Sequence, residues 1–160
     1  MLVRVILGER KLPLKEIRMN KKVMTGGAFD LLHWGHLLLF EECTKYGDYL
    51  IVSVLSDARI RAKKGKNRPI IPEAGRIAMV EALSVVDEVV CLSGDPDYPV
   101  IKLLDIHKPD VLVLNQDEFA DFSEEKNACR ERNIELVFVP RLIPPTGLDT
   151  TKIVAKIRGN

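Results

Sequence analysis

Apolar positions along the chain follow two rhythms. Short runs rich in Val, Ile and Leu recur: one starts at Lys22–Met24 and ends in Thr25-Gly26-Gly27, and others cover Tyr49–Leu55, Val86–Cys91, Val111–Leu114 and Leu136–Val139. The Tyr49–Leu55 run is apolar nearly throughout, the pattern of a strand covered on both faces. Between the runs lie segments with helical spacing at Leu37–Tyr46, Pro72–Leu83, Val100–Ile106, Ser123–Arg132 and Asp149–Arg158. Gly47 stands past the first of these as a helix stop signal. The alternation predicts an α/β fold, a doubly wound parallel sheet with helices on both faces. Ligands in such sheets bind at the carboxyl ends of the strands. Residues 1–21 precede the first central strand and read as an appendage, either an edge hairpin (Leu2–Leu7, then Lys11–Ile17) or an oligomer contact. Residues 22–160 read as one domain.

Composition narrows the function classes. With 160 residues, 46% hydrophobic and 29% charged, the chain is expected to fold as a single globular domain and not as a disordered segment. The 24 basic and 23 acidic residues leave a net charge of +1, which argues against a dedicated nucleic-acid binder. No apolar run approaches the ~18 residues of a transmembrane helix, so no membrane association is expected. The start, MLVRVILGERK, is too short and too interrupted by charge for a signal peptide. Cys43, Cys91 and Cys129 are widely spaced and odd in number, so they suggest neither a disulfide framework nor a zinc site. They read as structural thiols in a reducing, cytoplasmic setting.

The candidate chemistry starts in the string Thr25-Gly26-Gly27-Ala28-Phe29-Asp30-Leu31-Leu32-His33-Trp34-Gly35-His36. It joins a strand to a helix, where unpaired backbone N–H groups and the helix dipole favour anions. Gly26 and Gly27 let backbone approach a phosphate. His33 and His36 are three apart and face one side of a helical turn. Gly35 between them leaves room for a ligand. Two imidazoles there can donate hydrogen bonds to phosphoryl oxygens as charge builds. A plainer alternative also stands: two helix-capping histidines beside a packing glycine.

This string resembles the His-x-Gly-His signature of the nucleotidyltransferase superfamily of cytidylyl- and adenylyltransferases. Phe29–His36, FDLLHWGH, is similar to glycerol-3-phosphate cytidylyltransferases. The resemblance covers roughly residues 22–158. It implies a Rossmann-like sheet, a homodimer and Mg²⁺-dependent transfer of a nucleoside monophosphate from an NTP to a phosphorylated acceptor. Thr25, Gly26, Gly27, Ala28 and Phe29 then become nucleotide-binding candidates, and His33 and His36 catalytic ones.

Six cations, Arg59, Arg61, Lys63, Lys64, Lys66 and Arg68, crowd one stretch that Gly65 and Pro69 mark as a loop. Such cations can fold over a triphosphate. The resemblance implies a triphosphate-contacting lysine here, at Lys63 or Lys64. It also implies a nucleotide-binding arginine at Arg76, for which a pairing with Glu73 one turn away is the structural alternative. Thr146–Val154 resembles the family's Gly-Ile-Ser-Thr-Thr segment, with Thr150 and Thr151 as phosphate candidates. Asp149 stands where that motif has Ser and reads as a helix cap turned onto its own backbone. Asp117, after the fourth central strand, matches the family's acidic residue near acceptor or nucleotide. Asp30 and Asp57 are lesser candidates, Asp57 doubling as a helix cap.

Ser84 and Pro144 stand where cytidylyltransferases carry arginines, which favours ATP over CTP. The sequence also resembles the adenylyltransferase branch, which includes the heptose-phosphate adenylyltransferases and archaeal FAD synthases, and its Lys64–Leu83 stretch resembles the latter. The expected reaction is therefore NMP transfer to a small phosphorylated sugar, polyol or alcohol. Formation of a CDP-alcohol such as CDP-glycerol, FAD synthesis from FMN, and a non-catalytic nucleotide-binding module are the alternatives.

Overall fold

The computed structural model describes residues 21–91, 100–116 and 121–159. In chain order the elements are β1 (Lys22–Gly27), α1 (Trp34–Cys43), β2 (Tyr49–Val54), α2 (Asp57–Lys64), α3 (Glu73–Glu81), β3 (Glu88–Cys91), α4 (Val100–His107), β4 (Val111–Asn115), α5 (Ser123–Glu131), β5 (Glu135–Val139) and α6 (Thr150–Arg158). The strands form a fully parallel sheet in the order β3-β2-β1-β4-β5, a doubly wound, Rossmann-like α/β fold. Strand order reverses at β1, so the crevice between the carboxyl ends of β1 and β4 is the natural ligand position.

Side-chain alternation along the strands divides the core in two. Val23, Val52 and Val111 pack with Leu39, Phe40 and Cys43 of α1 and Val80 of α3. Met24, Ile51 and Leu112 point the other way and pack with Leu103 and Leu104 of α4 and Ala128 and Cys129 of α5. Each fully buried Val, Leu, Ile or Phe contributes about 1.5–3 kcal/mol. The central strands β1, β2 and β4 carry most of these residues, which makes the sheet centre a firm platform for the loops at its edge. Cys43 and Cys129 are buried and Cys91 half-buried, all as free thiols. Burial pushes the Cys43 thiol up to about 12.

Several local readings change. The basic stretch expected to be a loop is largely helix α2. Ser56 caps it, its Oγ accepting from the Arg59 N–H at 3.2 Å. Asp57 sits in its first turn and Arg61, Lys63 and Lys64 in its last, each charge matched to the helix dipole. Gly65, at φ 88°, ends the helix. Asp57 is therefore the first residue inside the helix and Ser56 the cap. Helix α1 starts three residues earlier than its apolar spacing suggested, because His33 caps it, and it ends at Cys43 with Thr44 as its C-cap, short of the expected Tyr46. Gly47 answers a different need: a Cβ there would lie 2.4 Å from the carbonyl oxygen of Lys21. The appendage reading of residues 1–21 falls almost wholly outside the described residues, as does the segment 92–99. Among the described residues no helix is long and apolar enough to cross a membrane.

Candidate active site

A cavity of about 860 Å³ opens at the carboxyl ends of β1, β4 and β5. Gly26, Gly27, Ala28 and Phe29 line its floor. Thr25, grouped with them on sequence grounds, is not among the lining residues. It is buried, and its Oγ1 donates to the Val113 carbonyl at 2.9 Å, tying β1 to β4. Phe29 and Leu31 have φ of 47° and 51°, a left-handed backbone that bulky residues seldom adopt. Such strain costs on the order of 1–3 kcal/mol per residue and must be held by its surroundings. The buried Phe29 ring supplies part of that hold, edge-on to His36 at 5.4 Å and tilted against Phe40 at 5.0 Å. Gly27 makes room for this ring, since a Cβ there would lie 3.0 Å from it.

His33 and His36 stack with centroids 3.8 Å apart. Each Nδ1 accepts a backbone N–H, His33 from Gly35 at 3.1 Å and His36 from His33 at 3.3 Å. In the neutral rings the proton is then on Nε2. Burial lowers the pKa of His33; the Asp149 carboxylate opposes that shift and Arg141 adds to it. Burial pushes His36 down to about 3, helped by His33 and Lys64 and opposed by Asp30. Both rings are therefore neutral donors at physiological pH. The capping alternative describes the geometry of these rings, and it is also what orients their Nε2 atoms. The space left by Gly35 is filled by His33 itself: a Cβ on Gly35 would lie 3.0 Å from its Cε1.

Asp30 joins the histidine turn to the basic segment. Its carboxylate is buried and accepts from the N–H groups of Ile70 at 2.8 Å and Ile71 at 2.9 Å. It also pairs with Arg68 at 2.7 Å. Burial acts to raise its pKa, but the two N–H groups and the guanidinium outweigh it and hold the carboxyl below its usual range. Arg68 and Lys64 both line the cavity, whereas Lys63 does not. Partial desolvation lowers the Lys64 pKa; Arg68, Arg141 and Lys63 push the same way and Asp30 opposes them.

Arg76 is placed elsewhere than its assignment as a nucleotide ligand suggests. It is fully buried and does not line the cavity. Its guanidinium pairs with Asp57 at 2.7 Å and donates to the carbonyls of Ala28 at 2.5 Å and Ile71 at 3.0 Å. Glu73, the alternative partner, accepts the Asp57 N–H on its Oε2 at 3.1 Å and so ties α3 to the start of α2. Arg76 thus fastens α2, α3 and the end of β1 together beneath the site.

The start of α6 closes the far wall. Asp149 caps the helix as expected, its Oδ1 accepting from the Lys152 N–H at 2.9 Å. Thr150 and Thr151 line the cavity. Thr150 Oγ1 lies 3.2 Å from His33 Nε2 and donates to the Asp30 carbonyl at 3.3 Å. Arg141 and Lys152 also line the cavity, and neither was singled out from the sequence. Lys152 sits one residue beyond the Thr-Thr pair, so its place in the first turn of α6 was a usable signal. Arg141 lies in the irregular segment after β5 and offered none. Asp117 lies outside the described residues; Asn115 and Gln116 line the cavity.

The arrangement brings two neutral imidazole donors, four cations and one helix N-terminus to a single cavity. It suits a highly charged phosphate ligand. Among the described residues no group of three His, Cys, Asp or Glu side chains is placed to hold a metal ion.

Comparison with known proteins gives the same picture. A family model described as cytidylyltransferase-like matches residues 24–156. The chain is 32% identical to FAD synthase of Thermococcus kodakarensis over 147 residues, 90% of this chain and 96% of that protein. It is 38% identical to the bifunctional protein HldE of Campylobacter fetus over 140 residues, 86% of this chain but 28% of that protein. The chain thus spans under a third of the HldE length. Among solved structures, a lipopolysaccharide core biosynthesis protein from Thermoplasma volcanium superposes with a TM-score of 0.66 at 32% identity, covering 76% of this chain and 98% of that one.

Proposed function

The chain belongs to the cytidylyltransferase-like family and is a nucleotidyltransferase, and from that premise we propose that it transfers AMP from ATP to a small phosphorylated acceptor, releasing pyrophosphate. One observation carries the reading: the stacked, neutral His33–His36 pair shares a cavity with Lys64, Arg68 and the start of α6. The acceptor is proposed to be a sugar, polyol or alcohol phosphate. FAD synthase relatives matched over 91% and 96% of their length support a second reading, with FMN as acceptor. FAD joins an adenylate to a flavin phosphate, so both readings use ATP.

In the proposed reaction an acceptor phosphate oxygen attacks the α-phosphorus in line. A new P–O bond forms as the bond to the β-phosphate bridging oxygen breaks, and pyrophosphate leaves with the electron pair. A phosphomonoester has its second pKa near ~6, so the nucleophile is already anionic and needs no general base. Catalysis reduces to positioning and charge neutralisation. The Nε2–H groups of His33 and His36 donate to α-phosphoryl oxygens as charge builds there. Lys64 and Arg68 reach the phosphates from one side, and the hydroxyls and N–H groups of Thr150 and Thr151 hold the pyrophosphate end from the other. Mg²⁺ is proposed to arrive with the nucleotide, bound mainly through phosphate oxygens as is usual for this ion. It would offset their charge in the transition state. The cavity, at about 860 Å³, has room for a nucleotide and a small acceptor together.

The test is pyrophosphate release from ATP or CTP in turn, paired with FMN, sugar phosphates, glycerol 3-phosphate and other alcohol phosphates. ATP with one sugar, polyol or alcohol phosphate is the expected productive pair. Turnover with FMN alone selects the second reading. Turnover with CTP alone refutes the adenylyl assignment.

A further inference from the structure

Among the described residues four cations line the cavity, Lys64, Arg68, Arg141 and Lys152, and two carboxylates, Asp30 and Asp149. Each carboxylate is paired with an arginine, but the two pairs differ. Asp30 is buried, bound to two backbone N–H groups as well as to Arg68. Asp149 is a quarter exposed, and its Arg141 partner two-thirds exposed. Asp149 Oδ1 takes the Lys152 N–H at 2.9 Å and Oδ2 takes Arg141 Nη2 at 3.1 Å. One helix amide and one guanidinium on a single anion is the arrangement a phosphate would adopt at this helix start. The helix start therefore already holds an anion of its own.

Capping does not account for the charge. Asn and Ser cap a helix about as well as Asp. Nor does the ion pair add much stability, because an exposed pair gains little in water. What the carboxylate does is hold Arg141 in the cavity wall and neutralise it. A pyrophosphate group seated against Thr150 and Thr151 meets a like charge, and must share or displace the carboxylate to reach the guanidinium.

We propose that Asp149 is a specificity-determining residue that weakens the grip of the site on free pyrophosphate by occupying Arg141. The proposal rests on α6 being the pyrophosphate end of the site. Its consequence is easier departure of the product: the polyphosphate of an intact nucleotide is held at several points along the cavity, whereas released pyrophosphate depends on this one end.

The test is calorimetric titration of inorganic pyrophosphate with Mg²⁺ into the whole chain and into Asp149→Ser and Asp149→Asn. Both substitutions keep a cap, and Asn also keeps the shape. Each variant is expected to bind pyrophosphate roughly 3- to 10-fold more tightly, the scale of releasing a partly exposed ion pair. In an Arg141→Ala background the same substitutions are expected to gain clearly less, since only the direct repulsion between carboxylate and pyrophosphate is then relieved. Equal affinity in all chains overturns the proposal and leaves the site reading intact. Weaker binding by the variants overturns it in favour of a carboxylate that helps hold the cation. A gain of undiminished size without Arg141 overturns the stated route. No binding by any chain overturns the site reading and the proposal together.

Discussion

Nε2 of His33 lies 3.2 Å from Oγ1 of Thr150, 117 residues away in sequence. Because His33 Nδ1 accepts from Gly35, Nε2 carries the proton and donates to the hydroxyl. The hydroxyl in turn donates to the Asp30 carbonyl at 3.3 Å. The histidine turn, the anchor of the basic segment and the start of α6 are thus one hydrogen-bonded unit. A phosphate arriving between them competes with Thr150 for the same donor.

Removing the hydroxyl separates these elements. Thr150→Ala is expected to lower kcat/KM about 10-fold, the worth of one hydrogen bond to a charged ligand plus the loss of the His33 rest position. Thr150→Ser keeps the hydroxyl and is expected to stay within about 3-fold of the parent chain. Steady-state kinetics on the productive substrate pair decide it. A Ser variant as slow as the Ala variant would show that the methyl group, not the hydrogen bond, is what matters.

The depressed His36 pKa sets an acid limit on stability. The folded state holds this ring neutral down to about pH 3, while the unfolded chain protonates it near its ordinary 6.5. Between those values the unfolded state binds the extra proton. Stability is therefore full above about pH 6.5 and falls as pH drops, by at most about 1.4 kcal/mol per pH unit for one group. His33, also lowered, adds in the same direction. The lowered Asp30 pKa acts only below its ordinary 3.8, so the range from pH 6.5 to 4.5 isolates the histidines. Urea unfolding across that range is expected to show a declining midpoint, and His36→Gln a flatter one. The same slope in the variant would remove His36 from the account.

Arg76 carries a structural prediction. Its guanidinium is fully buried and serves Asp57, Ala28 and Ile71 together. Arg76→Met keeps much of the apolar volume but leaves the quarter-exposed Asp57 carboxylate with Arg61 alone, at 3.9 Å, and takes the guanidinium from two carbonyls. A loss of about 1–3 kcal/mol is expected, the scale of leaving buried polar groups without their partner. Chemical denaturation measures it directly. A variant of near-parent stability with a sharply raised KM for the nucleotide would return Arg76 to the ligand-binding role that its position in the sequence suggested.

The parallel sheet is legible in the chain because burial on both faces leaves an apolar run, as at Tyr49–Val54, that needs no context to read. The histidine string is legible for a similar reason, since its residues are adjacent. What sequence hides is the partner of each charge. Arg68 and Arg76 are both arginines within the segment after α2, yet one lines the cavity and the other is sealed beneath it. The difference lies in Asp30 and Asp57, 38 and 19 residues earlier, and no local spacing encodes those pairings. Helix α2 is masked likewise: its cationic face has little apolar periodicity, and its start depends on one serine side chain.

The ambiguity between Lys63 and Lys64 resolves into a pair of opposite outcomes. Both end α2, one residue and so about 100° apart on the helix. Lys64 lines the cavity, where partial desolvation first, and then the repulsion of the cations around it, lower its pKa. A polyphosphate relieves that repulsion, so ligand binding and Lys64 protonation favour each other. Lys64→Ala is expected to reduce kcat/KM by about 10- to 100-fold, the range for losing one charge-assisted contact. Lys63→Ala is expected to stay within about 3-fold, as an exposed charge off the cavity wall contributes only through screened long-range attraction. The Lys64 loss is further expected to shrink on Lys64→Arg, which restores the charge. Equal losses at both positions would mean that α2 acts by its summed field and not through one placed ammonium.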